Sequence, residues 1–309
     1  MFQTPIAFIL FNRPPETRIA FEVIRSVRPT DLFLIADAAR AGREGEEQAV
    51  AETREIVAQV DWPCDVRRIY ATQNLGCGKR IASGITAAFE QIDRLIVLED
   101  DCVADPTFFS YAEALLERYA DDPRVMAISG DCFHSQFLPS DASYYFSKYP
   151  HCWGWATWKR AWSLFRSHIP DWHKVIMSRD FRDLCHSSRE QRYWLDVFQR
   201  IARGKVDTWD FQWTLTCWRH QGLTALPKQN LVSNIGFNES GTHTQEATSL
   251  SNLPTFPMNE IIHPEVVHRD LEADRYSDEL IFSGPWREPG AIQKIANKLK
   301  TTMARRRAA

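Results

Sequence analysis

Three adjacent carboxylates, Glu99, Asp100 and Asp101, directly follow the apolar run at 95–98 (LIVL). Like charges at this spacing repel one another, so the cluster should either be solvated in a loop or meet positive charge. Carboxylate oxygens are the ligands that hard divalent cations prefer, and Mg²⁺ is commonly held by one or two of them together with substrate phosphates. The local pattern therefore leaves two interpretations open, a solvated turn and a cation site.

Positively charged candidates also follow apolar or glycine-containing runs. Arg13 follows the run at 5–11 (PIAFILF), and its guanidinium could bind a diphosphate or the edge of a base. The alternative for Arg13 is a surface position before the Pro-Pro pair. Lys79 and Arg80 follow the segment 74–78 (NLGCG) and begin a predicted helix, whose amino end favours anions. A solvated helix start explains these two residues equally well, because the spacing is not that of a Walker motif.

Two further aspartates stand where strands or helices are predicted to end or begin. Asp37 follows the run at 31–36 (DLFLIA), although an isolated aspartate there is more often a turn residue. Asp210 lies in the segment 207–213 (DTWDFQW), at the predicted start of a helix, and could accept a proton from an attacking hydroxyl. Asp207 is the alternative base, and either aspartate could simply cap the helix.

Tryptophan is concentrated in one part of the chain, since nine of the eleven fall between 153 and 218. Three of them recur at helical spacing, which predicts a helix at about 155–166 with these side chains in the core. These three are Trp155, Trp158 and Trp162. Flat rings also stack on sugar faces, and Trp153 and Trp209 are the candidates for such a contact. Gly154, between two tryptophans, suggests close approach by backbone or substrate.

Short apolar runs alternate with longer periodic stretches in the first half. The predicted strands are 5–11, 31–36, 65–70, 94–98 and 124–129, and the predicted helices lie at about 16–28, 46–60, 78–91 and 106–120. Strands that are apolar on both faces and separated by helices indicate a mostly parallel sheet covered on both sides. We therefore predict an α/β fold, in which ligands bind at the carboxyl ends of the strands. Further helices are predicted at about 188–203 and 209–221, followed by long loops from about 227 to 290.

Composition excludes several classes of protein. The net charge is −3 with both signs mixed, so no nucleic acid is expected as a partner. The seven cysteines are scattered without a C-x-x-C pair, which disfavours structural zinc and a disulfide framework. No apolar run approaches the roughly 20 residues of a membrane span. The first residues are typical of a strand and not of a signal peptide, so a cytoplasmic protein is expected.

Five blocks of sequence resemble the GT-A glycosyltransferases that use nucleotide sugars. The nearest likeness is to bacterial family-2-like transferases and to N-acetylglucosaminyltransferase I, and it runs from about 5 to 245. The blocks are FNRP (11–14), NLGCGKRIASGI (74–85), LEDDCVADPTFF (98–109), WGWATW (153–158) and DTWDFQW (207–213). The resemblance implies a GT-A domain at 1–250, followed by a loop-rich extension at 251–290.

The resemblance also implies roles for the candidate residues. Mn²⁺ or Mg²⁺ would be bound by Asp101, with Glu99 and Asp100 contacting the nucleotide or supporting that site. Arg13 and Asp37 would hold the nucleotide, with Asp37 accepting a hydrogen bond from uracil. Lys79 and Arg80 are further candidates for nucleotide contacts.

On the acceptor side the resemblance implies Asp210 as the catalytic base and Trp153 as the residue that meets the sugar. A late histidine, His243, would bind the metal or the diphosphate, although a lone histidine in a loop usually does neither. The partners would be a nucleotide-sugar donor, with a uridine nucleotide favoured, and a glycan or lipid-linked acceptor. The reaction would then be inverting.

The C-terminal segment 291–309 places four apolar residues on one helical face among lysines and arginines. Such a basic amphipathic tail suits peripheral contact of 291–307 with anionic lipid, or it is a solubilising terminus.

Two other functions remain as alternatives to a glycosyltransferase. A sugar-1-phosphate nucleotidyltransferase would need a glycine-rich loop after the first strand, where this chain reads FNRPPET without glycine. A non-catalytic module that binds glycans or nucleotides would not need Asp210.

Overall fold

The computed structural model describes residues 1–133, 141–237 and 250–286. Within them the strands are β1 (Ile6–Leu10), β2 (Asp31–Ala36), β3 (Asp65–Tyr70), β4 (Arg94–Glu99), β5 (Cys102–Ala104), β6 (Val125–Ser129), β7 (Tyr144–Ser147), β8 (Trp155–Trp158), β9 (Leu223–Pro227) and β10 (Val232–Asn234). The helices are α1 (Pro14–Val27), α2 (Glu46–Ala58), α3 (Cys77–Phe89), α4 (Thr107–Arg118), α5 (Lys159–Trp162), α6 (Trp172–Ile176), α7 (Arg179–Leu184), α8 (Ser188–Ala202), α9 (Asp210–Arg219) and α10 (Leu271–Ile281).

Eight of these strands form one sheet in the order β3-β2-β1-β4-β8-β6-β9-β7. Strands β3, β2, β1 and β4 pair in parallel, as do β6 and β9. Strand β8 is antiparallel to both β4 and β6, and β7 is antiparallel to β9. Six of the eight strands therefore share one direction, and the predicted mostly parallel α/β sheet is confirmed. Strands β5 and β10 form a separate antiparallel pair.

The core lies on both faces of the sheet because side chains alternate along each buried strand. In β1, Ile6, Phe8 and Leu10 pack into one hydrophobic cluster, and Ala7 and Ile9 pack into the other. All five side chains are buried. The continuous apolar runs that predicted β1, β2 and β4 thus reflect a sheet with helices on both sides.

The first half of the chain follows the prediction closely. All five predicted strands and all four predicted helices of this half are present, with ends that differ by no more than two residues. Because β1, β2 and β4 are neighbours in the sheet, the segments that follow them meet at one edge. Arg13, Asp37 and the acid cluster, by which we mean Glu99, Asp100 and Asp101, therefore come together there.

The predicted helix at about 155–166 is wrong at its start. Trp155–Trp158 forms the buried strand β8, and only Lys159–Trp162 is helical. Trp155 and Trp158 pack into the two different hydrophobic clusters, as residues on opposite faces of a strand do. Their place in the core is confirmed, but the spacing of three was misread, because pairing with β4 and β6 decides the conformation.

The later segments include elements that the sequence did not predict. Helices α8 and α9 lie where they were expected, but α10 falls within the range predicted as loops. The Asp270 side chain caps α10 by accepting hydrogen bonds from the backbone of Glu272 at 3.1 Å and Ala273 at 2.9 Å. No helix in the described ranges has both the length and the apolar character needed to span a bilayer. His243 and the tail at 291–309 lie outside the described residues.

Candidate active site

A cavity of about 870 Å³ opens at the carboxyl ends of β1, β2 and β4. Ten of the twelve candidate site residues that the structure describes line it, namely Arg13, Asp37, Arg80, Glu99, Asp100, Asp101, Trp153, Asp207, Trp209 and Asp210. Lys79 and Gly154 do not line it. The cavity therefore joins residues from both halves of the chain, which are separated by more than a hundred positions.

The acid cluster is held in the turn between β4 and β5. The backbone N–H of Phe11, just after β1, donates to Asp100 Oδ2 at 2.9 Å. The N–H of Ile235, just after β10, donates to the carbonyl oxygen of Asp101 at 2.8 Å. These two bonds tie the turn to both sheets, so its position is set by strand pairing.

Arg13 supplies the nearest positive charge to the acid cluster. Its Nη1 lies 2.5 Å from Asp101 Oδ2 and 3.6 Å from Asp100 Oδ1. The Arg13 side chain is only 11% exposed, and the two aspartate side chains are 9% and 14% exposed. Of the two interpretations of this cluster, a solvated turn does not describe these aspartates.

One guanidinium does not balance three carboxylates. Burial, followed by the charge of Asp101, raises the pKa of Asp100 to about 7. Burial and the charges of Asp101 and Asp100 raise the pKa of Glu99 well above its usual range, and Arg13 opposes this only in part. Arg13 alone thus does not keep all three carboxylates ionised, and the cluster offers hard oxygen atoms to a further cation. This donor set fits Mg²⁺ or Mn²⁺, which take their remaining ligands from water and phosphate.

Asp37 is a buried carboxylate that organises the neighbouring loop. Its Oδ1 accepts hydrogen bonds from the N–H groups of Ala38 at 2.9 Å and Leu75 at 3.0 Å. Its Oδ2 accepts from the N–H of Gly76 at 3.0 Å. Both oxygens therefore already have partners from the protein backbone. Asp37 lines the cavity, and its hydrogen bonds hold the segment between β3 and α3 in place.

The amino end of α3 is occupied by a carboxylate from the other half of the chain. Asp207 Oδ2 accepts from the N–H of Cys77 at 2.9 Å, and Asp207 Oδ1 accepts from the N–H of Gly78 at 3.0 Å. A Cβ on Gly76 would lie 2.4 Å from Asp207 Oδ2, and one on Gly78 would lie 2.5 Å from the carbonyl oxygen of Thr208. The two glycines thus leave space for the segment that carries Asp207 and Thr208. The anion at the amino end of α3 is the Asp207 carboxylate.

Lys79 and Arg80, the adjacent cations of α3, have different surroundings. Arg80 is 7% exposed and lines the cavity, whereas Lys79 is exposed outside it. Burial lowers the pKa of Arg80, although the charge of Asp37 opposes this, and the Arg80 Nε makes no hydrogen bond. Arg80 is therefore the member of the pair that faces the cavity.

Asp210 lies at the start of α9, as the sequence predicted. The hydroxyl of Thr208 donates a hydrogen bond to Asp210 Oδ1, and the hydroxyl of Thr214 donates to the Asp210 carbonyl oxygen at 3.0 Å. The charge of Asp210 is among the causes that raise the pKa of Glu99, so the two carboxylates share one electrostatic environment. Asp207 and Asp210 both line the cavity, but both carboxylate oxygens of Asp207 accept hydrogen bonds at the start of α3.

The three aromatic and glycine candidates have different surroundings. Trp153 is half-buried, lines the cavity, and meets the ring of Phe237 edge to face at 5.4 Å. Trp209 is 3% exposed and stacks on Trp155 at 5.1 Å, so most of its ring belongs to the core. Gly154, with φ +66°, packs against Val232, whose Cγ2 would lie 2.6 Å from an added Cβ. The close approach expected at Gly154 is therefore made by strand β10.

Several lining residues were not found from the sequence. Arg40 pairs with Glu46 and lies over the ring of Phe11 at 5.4 Å. Others include Asn74, Arg200, Lys205, Asn234, Gly236 and Phe237. Asn234 ends β10, and Gly236 and Phe237 follow it in a segment where the sequence singled out only His243.

Comparisons with known proteins give weak similarities. No protein-family model and no curated protein matches the sequence. The chain is similar in structure to mouse xyloside xylosyltransferase 1, with 11% identity, a TM-score of 0.36, and coverage of 72% of this chain and 84% of that one. It is also similar to S. aureus TarS 1-349, with 7% identity, a TM-score of 0.36, and coverage of 73% and 58%.

A third similar structure is a UDP-glucose pyrophosphorylase complexed with UDP-glucose. It has 10% identity and a TM-score of 0.35, with coverage of 74% of this chain and 90% of that chain. Similarities at this level say nothing about activity, which has to be argued from the site.

Proposed function

We propose that this protein is an inverting, metal-dependent glycosyltransferase of the GT-A type. It would move a sugar from a nucleotide-sugar donor, with UDP favoured, to a hydroxyl of a glycan or lipid-linked acceptor. The observation that carries this proposal is one cavity that combines a strand-end acid cluster, buried arginines and a separate carboxylate, Asp210. We further propose a cytoplasmic location, with peripheral membrane contact through 291–307.

The polar groups of the cavity divide into a nucleotide side and an acceptor side. Arg13 and Arg80 are cations of the cavity wall and would bind the diphosphate, for which guanidinium groups are suited. Asp101, supported by Asp100 and Glu99, would hold a divalent cation, which supplies positive charge that stabilises the leaving diphosphate.

Asp210 would act as general base toward the acceptor. The acceptor oxygen forms a bond to the anomeric carbon as the bond from that carbon to the diphosphate oxygen breaks. The hydroxyl proton passes to the Asp210 carboxylate, and the nucleoside diphosphate leaves with the bonding pair. Thr208 donates a hydrogen bond to Asp210 Oδ1 and so orients the carboxylate for this transfer.

Calorimetric titration of UDP, with and without Mn²⁺, tests this proposal first. We expect UDP to bind the wild type more tightly with Mn²⁺, and this dependence should be lost in Asp101→Ala. Asp180→Ala is the matched control, since Asp180 is an exposed aspartate in the first turn of α7. UDP binding that is independent of metal, or absent, would contradict the proposal.

Turnover assays separate the remaining functions. A glycosyltransferase releases UDP from a UDP-sugar when an acceptor is present, whereas a nucleotidyltransferase releases pyrophosphate from UTP and a sugar phosphate. A binding module would bind the nucleotide and release neither product. UDP release from a panel of UDP-sugars with acceptors, and pyrophosphate release from UTP with sugar phosphates, therefore distinguish the three functions.

A further inference from the structure

Arg13 occupies the oxygen of Asp101 that the proposed cation needs. Its Nη1 lies 2.5 Å from Asp101 Oδ2. That same oxygen is crowded by the backbone of Gly236, where an added Cβ would lie only 2.2 Å away. The other oxygen, Oδ1, accepts a contact from Cys102 Sγ at 3.6 Å. Arg13, Gly236 and Cys102 therefore surround the carboxylate of Asp101, and a cation that binds Oδ2 competes with Arg13 for this oxygen.

Charge makes the simultaneous presence of both cations at Asp101 unfavourable. A divalent ion and a guanidinium on one carboxylate would lie within a few ångströms of each other, in a pocket with little water to screen them. Removal of Arg13 to a distant position is equally unfavourable unless it finds another anion, because it is nearly buried. A diphosphate in the same cavity provides that anion, and its oxygens match the guanidinium fork.

We propose that Arg13 exchanges partners during ligand binding, from Asp101 in the free protein to the diphosphate when the cation occupies Asp101. This inference rests on the proposed function, since it assumes that the cavity takes a cation and a nucleoside diphosphate. Arg13 then makes the cation alone bind weakly, because the cation has to displace a bound guanidinium. The two ligands together bind tightly, and by linkage each raises the affinity for the other by the same factor.

Mn²⁺ binding in the absence of nucleotide tests the exchange directly. Titration of the wild type and Arg13→Gln with Mn²⁺, followed by the electron paramagnetic resonance signal of free Mn²⁺, gives both affinities without an activity assay. We expect Arg13→Gln to bind Mn²⁺ about tenfold more tightly or better, as removal of a close competing charge implies. The same variant should show a smaller enhancement of Mn²⁺ affinity by UDP than the wild type shows.

Arg80→Gln is the matched control, because Arg80 is also a buried cation of the cavity wall but interacts with the charge of Asp37 and not of Asp101. A general loss of positive charge would strengthen Mn²⁺ binding in both variants to the same extent. The exchange requires a clearly larger gain in Arg13→Gln. Arg13→Lys provides a second variant if Arg13→Gln does not fold, and its single ammonium should give an intermediate Mn²⁺ affinity.

The outcomes separate this inference from the proposed function. If Mn²⁺ affinity is equal in the wild type and Arg13→Gln, or if Arg80→Gln gains as much, the exchange is overturned while metal-dependent UDP binding still stands. If neither the wild type nor Arg13→Gln binds Mn²⁺, and UDP binding ignores metal, the proposed function fails and the exchange fails with it.

Discussion

Two regions of this protein contain buried carboxylates, and they differ in how far neighbouring basic groups balance the negative charge. The acid cluster at the end of β4 has three carboxylates and one guanidinium. The ion-pair network, by which we mean Lys148, His186, Glu190 and Asp278, has two buried carboxylates, one buried lysine and one histidine. Lys148 Nζ contacts Glu190 Oε1, and the His186 ring lies 2.9 Å from Glu190 Oε2 and 3.5 Å from Asp278 Oδ2.

The pKa values of two glutamates express the difference. Burial pulls the pKa of Glu190 upward, but the charge of Lys148 and the hydrogen bonds from Lys148 and Tyr149 outweigh it, so the pKa lies below its usual range. At Glu99, burial and the neighbouring aspartates act in the same direction, and the pKa lies well above that range. Burial also raises the pKa of Asp278, so it is Glu190 whose charge the network compensates. At Glu99 the burial cost is not offset, which marks a place where a ligand is expected.

The spacing of potential metal ligands, taken without their charge, favours the ion-pair network over the acid cluster. Among the residues that the structure describes, His186, Glu190 and Asp278 form the one group of three potential metal ligands within 4.8 Å of one another. Their carboxylates already have cationic and hydrogen-bonding partners, including the N–H of His186 to Glu190 Oε2 at 2.8 Å. A cation there would have to displace these partners. In the acid cluster a cation has to displace only Arg13.

The largest expected effect is a loss of turnover when a residue of the cavity is substituted. Asp210→Asn keeps the size of the side chain but removes the base, so turnover should fall by about 10²- to 10⁴-fold. The melting temperature should stay close to that of the wild type. The measurement is UDP release from the donor that the wild type accepts.

Asp180→Asn is the control for Asp210→Asn, since both aspartates lie in the first turn of a helix. Full turnover in Asp210→Asn would remove this residue as the base. Loss of turnover in Asp207→Asn alone would instead transfer the role to Asp207.

The next effect is on stability and belongs to the ion-pair network. Lys148→Met leaves Glu190 charged and buried without its cation, so the free energy of unfolding should drop by about 3–5 kcal/mol. Lys159→Met, at a solvent-exposed pair whose atoms are 3.9 Å apart, should change it by about 0–1 kcal/mol. Urea denaturation measures both, and equal effects would contradict the structural role of the network.

A smaller effect of opposite sign is expected in the acid cluster. Glu99→Gln removes an uncompensated charge, so the free energy of unfolding, measured with a chelator present, should rise by about 0.5–2 kcal/mol. Glu190→Gln should lower it. Destabilisation by both substitutions would show that the two regions do not differ in the way that their pKa values indicate.

The smallest effects are differences in pH dependence. The native pKa of Asp100 is raised to about 7, so its native proton stabilises the fold below about pH 4, and this stabilisation is lost as the pH rises toward 7. Asp100→Asn should therefore melt at a higher temperature than the wild type, and this difference should increase from pH 4.5 to pH 7.5.

Glu190 has the reverse sign, because its native pKa is lowered. Its stabilisation is present above the unfolded pKa and is lost as the pH falls through the native pKa. The deficit of Glu190→Gln should therefore shrink on acidification. Melting curves in EDTA at several pH values check both trends, and parallel curves for all variants would contradict them.

The sequence predicted much of the fold and part of the site. Continuous apolar runs identified β1, β2 and β4, because strands buried on both faces allow little but apolar residues. The polar residues just past those runs, Arg13, Asp37 and the acid cluster, could be placed at one edge of a parallel sheet. Strand β8 was misread because the spacing of its tryptophans is equally compatible with a helix, and only its neighbours in the sheet decide.

Amino-acid type and order determined by themselves that this chain forms a mostly parallel α/β sheet with acidic and basic groups at its carboxyl edge. Tertiary structure alone decided which of those groups meet. It paired Arg13 with Asp101, placed the Asp207 carboxylate at the amino end of α3, and packed Gly154 against Val232. The physical reason is that hydrophobic periodicity is a local property of the chain, whereas charge compensation depends on contacts between residues far apart in sequence.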